Sequence, residues 1–369
     1  MAMSAAKAGF SVTAIDAFGD RDLRAVADVI VARRRHGSRY SPVQAAALAA
    51  SVSADLVAYT SSFENYPAAV LQLSNGRNLL GNPPRVLERV RNPLELSRVL
   101  RRHALPAPVS RTSAPAEAGD SSIRWLLKSR RSGGGNGVQA WRPGIPVPRG
   151  RYLQEWISGT PGSLIMACNG KSAVVLGLTR QMVGEPELGA PDFQYCGSLL
   201  LRCAGPAFPC QDELFRRCGV LANVVAREFE LVGLNGIDFI ADQNSPYSIE
   251  VNPRFSASME LVQRAQGISM FDVHFEACHG RLPLITSPTP DTHGKAIVFA
   301  RRSVTVPPAG LWEAVDLADL PHPGERIEKG HPICTVFAEA ETPQRCRERL
   351  LGRAAAVYRC VERRLKRAS

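Results

Sequence analysis

Asp238, Glu250, Asn252 and Arg254 lie close together in the stretch LNGIDFIADQNSPYSIEVNPRFSASMEL, residues 234–261. The runs GIDFIA and YSIEV are β-rich and are separated by the turn-forming residues Asp242 to Pro246, which predicts a hairpin with a five-residue connection. A turn centred on Asn244 sets Asp238 across from Glu250. Cross-strand neighbours have Cβ atoms roughly 5 Å apart, and like charges at that range are destabilising unless a cation lies between them. Asn252 follows Glu250 at spacing two, on the same strand face, and offers a third oxygen ligand. The planar guanidinium of Arg254 can grip a phosphate oxygen. A lone Asp–Glu pair would mean a solvated surface hairpin; four converging groups point to a divalent cation and a phosphate.

A second set lies about a hundred residues earlier, in WLLKSRRSGGGNGV. Lys128 ends an apolar strand-like run, and Ser132, Gly133, Gly134, Gly135 and Gly137 make a backbone that can approach phosphates and aim N–H groups at them. GxxxxGK[ST] is absent, so this is not a Walker A loop. On its own such a loop is a plain flexible connection. RYLQEWISGTPG, residues 151–162, reads as a strand ending in a turn. Arg180 ends the strand-like run KSAVVLGLT, where two readings stand equally: an exposed strand-end arginine, or a cation that reaches a transferring phosphoryl group.

EVNPR after a short β-run, with an Asp inside GIDF twelve residues before Glu250, resembles the metal-binding end of the ATP-grasp superfamily. The resemblance implies Mg2+ (or Mn2+) held by Asp238, Glu250 and Asn252 against the phosphates of ATP, and Lys128 with the Ser132–Gly137 flap closing over them. It also implies backbone contacts to adenine around Glu155, Trp156 and Ile157, with Arg254 and Arg180 as catalytic cations. Many relatives carry an acid after the hinge glycine for the ribose; here Thr160 and Pro161 follow Gly159. FQYCGSL, residues 193–199, resembles a subgroup of predicted ATP-dependent carboligases related to biotin carboxylase. The activity implied is ligation of a small-molecule carboxylate to an amine through an acylphosphate, as in cofactor biosynthesis. The alternative within enzymes is a carboxylase acting through carboxyphosphate; no Met-Lys-Met biotin-attachment segment is present. Residues 255–259 and 192–197 are candidate specificity loops.

These groups need a scaffold that is α/β (α+β) in class. Residues 1–90 alternate strand-like runs (FSVTAID, DLVAYTS, NLLG) with helix-like ones (SPVQAAALAASV, NYPAAVLQLS), the mark of a parallel-sheet α/β domain. Relatives usually open with a strand and a glycine turn, and the expectation here is that this first strand is missing, leaving an edge or gap that costs stability and invites association; a homodimer is a separate expectation. Two short helices, PPRVLERV and PLELSRVLRRHAL, lead into residues 91–290, the nucleotide- and metal-binding part, with a long helix at residues 212–231. Residues 291–369 read as strands and turns resembling a small C-terminal barrel-like region, followed by a basic amphipathic helix.

The chain of 369 residues carries a formal net charge of +11, of which residues 341–369 supply +6. That charge raises a competing class, a polyanion- or nucleic-acid-binding protein. The terminal stretch reads instead as one packed helix with Thr342 as cap, Pro343 in the first turn, and Cys346, Leu350, Ala354, Val357, Val361 and Leu365 as its apolar stripe. No aromatic interleaving supports nucleic-acid binding. The nine cysteines form no CxxC pair and read as reduced, buried thiols. No apolar run reaches about 18 residues, so the expectation is a cytoplasmic protein without membrane contact.

Overall fold

The computed structural model describes residues 1–32, 40–115, 123–201, 211–284, 291–308 and 316–362. The elements in chain order begin with α1 (Ala2–Lys7), β1 (Thr13–Asp16), α2 (Arg21–Arg24), β2 (Asp28–Val31), α3 (Pro42–Ala49), β3 (Leu56–Ala58), α4 (Pro67–Leu73) and β4 (Asn78–Leu80). β1 pairs parallel with β2 and β3 parallel with β4, as two separate ribbons. Ile15, Val57 and Leu79 from both ribbons pack on α3 and α4. Ser41 caps α3, its Oγ accepting the Gln44 N–H at 3.2 Å, and Pro42 follows at the first helical position, where no N–H is missed. β2 was not foreseen from the sequence.

α5 (Pro84–Val90) and α6 (Pro93–Arg102) follow as predicted, then β5 (Ser110–Arg111), β6 (Trp125–Ser129), β7 (Gln139–Ala140) and β8 (Arg151–Glu155). These four strands form a small antiparallel sheet in the order β5-β8-β6-β7. β9 (Thr160–Asn169), β10 (Ala173–Val183), β11 (Tyr195–Leu200), α7 (Gln211–Phe229), β12 (Val232–Asp242) and β13 (Ser245–Asn252) build the larger unit, followed by α8 (Met259–Gln266) and α9 (Met270–Cys278). The last elements are β14 (Thr292–Phe299), β15 (Val304–Thr305), β16 (Leu317–Ala318), β17 (Arg326–Ile327), β18 (Pro332–Ala340) and α10 (Pro343–Glu362).

The central sheet has eight strands in the order β13-β12-β9-β10-β11-β14-β18-β16. Alternation along β9 sends Leu164, Met166 and Cys168 to one face, where Leu214, Cys218, Leu221, Val225 and Phe229 of α7 cover them. Ile165 and Ala167 point the other way, onto Met259, Val262 and Met270 of α8 and α9. Burying both faces is what lets this sheet read as long apolar runs, each large side chain contributing about 1.5–3 kcal/mol. The C-terminal strands expected as a barrel-like region extend this same sheet through β14, β18 and β16, with β15 and β17 as an added ribbon.

α10 starts as predicted: Thr342 Oγ1 accepts the Arg345 N–H at 3.3 Å, and Cys346, Leu350, Ala354, Val357 and Val361 are buried against β14 and β18. Leu365 lies outside the described residues. The basic side chains thus ride on a helix whose apolar stripe is already covered. Seven described cysteines are free thiols, five of them buried; Cys203 and Cys210 lie outside the described residues. No helix among the described residues is long and apolar enough to cross a membrane.

Candidate active site

The site is assembled where the small sheet faces the edge of the central one. β12 and β13 form the predicted hairpin, and Asp238 does pair with Glu250, but for a different reason from the one the sequence suggested. The connection is two residues, Gln243 and Asn244, with Gln243 in the left-handed region at φ 51°. That turn alone would set Asp238 opposite Ile249. A β-bulge just beyond Asp238 inserts one residue on β13 and brings Glu250 across from Asp238.

A cleft of about 1230 Å³ opens above this pair. Its floor holds Asp238, Glu250, Asn252 and Arg254; its walls hold Lys128, the Ser132–Gly137 loop, Glu155, Trp156 and Ile157. All these sequence-predicted residues therefore share one cavity. Arg180 is the exception: of its two readings the structure has the exposed strand-end arginine, not a cation in the cleft. Side chains alternate along β10, so Arg180 is exposed on the far side while its neighbour Gln181 lines the cleft. Gln181 Nε2 donates to Asp238 Oδ1 at 2.9 Å.

Asp238 also accepts from Asn252 Nδ2 at 2.9 Å. Burial, followed by the facing Glu250 carboxylate, pushes the Asp238 carboxyl above the ordinary aspartate range. Burial would raise Glu250 too, but the Arg91 guanidinium, assisted by Lys128 and Arg254, holds it below the usual range. Two facing carboxylates with opposed tendencies are what a cation between them would relieve. Among the described residues no cluster of three or more His, Cys, Asp or Glu could enclose a metal. Two carboxylates and an amide oxygen fit a hard divalent ion that keeps waters and takes phosphate oxygens for its remaining ligands.

Arg254 is 9% exposed. Its Nε donates to Glu64 Oε1 at 3.1 Å, its Nη2 to Asn252 Oδ1 at 3.1 Å and its Nη1 to the Phe255 carbonyl at 3.2 Å. Glu64 is 1% exposed, and its Oε2 has no hydrogen-bond partner among the described residues. Lys128, also buried, donates Nζ to Gln154 Oε1 at 3.0 Å, and Gln154 Nε2 donates to the Ile249 carbonyl at 3.2 Å. The lysine is thereby anchored to the bulge that brings Glu250 into place.

At the hinge, the Glu155 N–H is bonded to the Val109 carbonyl at 2.8 Å and the Trp156 N–H to the Arg124 carbonyl at 2.8 Å. The Arg124 guanidinium lies over the Trp156 ring, 4.2 Å from its centroid, and Phe193 meets that ring edge-on at 5.8 Å. The glycine loop is docked on the same segment. The Tyr195 N–H donates to the Gly134 carbonyl at 3.0 Å, and Gly135, at φ 81°, lies so close that a Cβ would fall 1.7 Å from the Phe193 carbonyl oxygen.

Sequence reasoning missed three further groups. Arg91, between α5 and α6, contacts Glu250 Oε1 at 2.5 Å and the Val251 carbonyl at 2.9 Å through Nη1. Its Nε and Nη2 donate to Asn65 Oδ1 at 3.2 and 2.9 Å, and Nη2 also to the Ser132 carbonyl at 3.1 Å. Gln181 is the second. Asn82, fully buried, is the third: it donates to Asn235 Oδ1 at 2.8 Å and the Pro253 carbonyl at 3.0 Å, and accepts the Val232 N–H at 2.9 Å. It ties the N-terminal elements to the base of the hairpin.

Residues 90–258 match a family model described as the ATP-grasp domain. That segment holds the whole hairpin, Lys128 and the flap, and the chain as a whole has the ATP-grasp fold. N5-carboxyaminoimidazole ribonucleotide synthetase of Thermus thermophilus superposes with a TM-score of 0.66 at 18% identity, covering 98% of this chain and 94% of that one. The biotin carboxylase domain dimer of Hydrogenobacter thermophilus 2-oxoglutarate carboxylase, in complex with MgADP, ADP and bicarbonate, superposes with a TM-score of 0.70 at 14% identity, covering 94% of this chain and 85% of that one. At such identities the likeness is one of fold. An uncharacterized protein of Methanocaldococcus jannaschii is 30% identical over 117 residues, 31% of this chain. The matched stretch spans little more than a quarter of that relative, 28% of its length.

Proposed function

We propose that the protein is an ATP-dependent ligase that joins a carboxylate to an amine, using Mg2+ or Mn2+. The observation that carries this reading is the Asp238–Glu250 pair, facing each other on the floor of a cleft roofed by a docked glycine flap and walled by buried Lys128. Asp238 and Glu250, with the Asn252 amide, would hold the divalent ion, which when bound neutralises phosphate charge. Lys128 would place its ammonium on the phosphates, and the flap would cover them and exclude water. Trp156 and Ile157 would face the base. The substrate carboxylate would then take the γ-phosphoryl group as an acylphosphate, and the amine would displace phosphate. Arg254, braced by Glu64, would hold an anionic oxygen of that intermediate. The cleft calls for no covalent nucleophile from the chain.

A second reading has bicarbonate in place of the carboxylate. The whole-chain fold likeness to a carboxyaminoimidazole ribonucleotide synthetase and a biotin carboxylase domain favours it. The same chemistry of the floor serves both. The proposal also includes a cytoplasmic setting, small-molecule substrates and a homodimeric state.

The test is ADP release in a pool of candidate carboxylates with hydroxylamine present, run beside a bicarbonate series. Acyl hydroxamate formation supports amide ligation, and bicarbonate-dependent ADP release without hydroxamate supports the carboxylase. If folded protein binds no MgADP in a calorimetric titration, or if Glu250→Ala releases ADP at the wild-type rate, the proposal fails.

A further inference from the structure

Among the described residues, Arg91 is the one cation that touches Glu250, the flap and the N-terminal elements together. Its side chain is 10% exposed, and its fork is spent on Glu250, the Val251 carbonyl, Asn65 and the Ser132 carbonyl. It sits on Glu250 where a divalent ion would need that carboxylate. A guanidinium and a metal ion cannot both take the same carboxylate oxygen without mutual repulsion, so the two compete.

We infer that Arg91 is a positioning residue that stands in for the metal: it neutralises Glu250 while the ion is absent, and it gives the carboxylate up when metal and nucleotide enter. This rests on the nucleotide-site reading above. The same arginine fixes the root of the flap through Ser132, so the exchange at Glu250 is mechanically linked to the cover over the phosphates. Asn65, bonded twice to the guanidinium, brings the segment that carries Glu64 into the same exchange.

The experiment is a Mn2+ titration of nucleotide-free protein followed by electron paramagnetic resonance, together with trypsin cleavage after Arg130 and Arg131 at the flap root. Removing a charge-assisted competitor is expected to tighten Mn2+ binding in Arg91→Met by about tenfold, and to speed flap-root cleavage several-fold. Glu250→Gln should lose Mn2+ binding, which identifies the site being read. Should Arg91→Met fail to fold, Arg91→Lys serves: it keeps the charge and a Mn2+ affinity near wild type but loses the fork, so cleavage still accelerates. Mn2+ binding in folded Arg91→Met that is no tighter than in wild type overturns the inference alone, as does unchanged cleavage in Arg91→Lys. Absence of Mn2+ and MgADP binding in every protein, wild type included, overturns the nucleotide-site reading and the inference with it.

Discussion

Gly135→Ala tests whether the docked flap is part of nucleotide binding. Gly135 has φ 81°, and an added Cβ would lie 1.7 Å from the Phe193 carbonyl oxygen and 2.6 Å from its carbon. Both are backbone atoms, so no side chain can swing aside. Holding alanine in the left-handed region costs about 1–2 kcal/mol. The overlap also forces the loop off the segment, which breaks the Tyr195-to-Gly134 hydrogen bond, a loss of about 0.5–1.5 kcal/mol net. Together the docked state loses about 1.5–3.5 kcal/mol, and at about 1.4 kcal/mol per decade the MgADP dissociation constant rises about 10- to 300-fold. Gly133 in the same loop is the control, since nothing lies within 4 Å of its Cβ position and its φ is ordinary; Gly133→Ala should bind like wild type. Isothermal titration with MgADP measures both, and thermal unfolding checks that neither variant has lost its fold. Equal affinity in the two variants would refute the idea that flap docking contributes to binding.

Three other outcomes are expected. His274 accepts the Leu234 N–H at Nδ1 and contacts the Leu80 carbonyl through Nε2, and burial lowers its pKa from 6.5 to about 4. The unfolded chain therefore takes up the proton first as pH falls. This stabilisation is intact above about pH 6.5 and declines toward pH 4, by at most about 3 kcal/mol, at about 1.4 kcal/mol per pH unit; urea melts of wild type and His274→Gln across that window will show a slope that the variant lacks. Asn82→Ala should destabilise the protein by about 2–4 kcal/mol, because it strands buried hydrogen-bonding groups around Asn235 and Val232; a loss of unfolding free energy in urea melts smaller than about 1 kcal/mol contradicts that role. Arg180→Ala should leave ADP release within about twofold of wild type, as expected for an exposed surface substitution, and a large loss of turnover there would return Arg180 to the site.

What was legible in the sequence was local. Alternating β-runs around turn formers gave the hairpin, glycine content gave the flap, proline and serine marked the starts of α3, α4, α5 and α6, and the apolar stripe from Cys346 to Val361 gave the last helix. The Asp238–Glu250 pairing was anticipated from a turn centred on Asn244, yet it arises from a tighter turn compensated by a bulge. A bulge has no periodic signature, and two such errors cancelled. The charge and strand-end position of Arg180 suggest a phosphoryl contact, whereas alternation decides the strand face and gives the cleft position to the uncharged Gln181. Arg91, Asn82 and Glu64 were invisible because their partners lie 159, 153 and 190 residues away in sequence. Contacts of that span leave no pattern in a window of neighbouring residues.

The boundary of the matched segment also matters for how such a site could be moved between proteins. Residues 90–258 carry the Asp238–Glu250 pair, Lys128 and the glycine loop, yet Arg254 leans on Glu64, Arg91 on Asn65, and the turn after Asn252 on Asn82. Excised as a cassette, the segment would keep its conspicuous residues and lose the braces that aim them, leaving a buried guanidinium without its carboxylate. Grafting experiments, and any recombination between relatives that exchanges the first ninety residues, would therefore retune the Arg254 end of the cleft without altering a single residue of its floor.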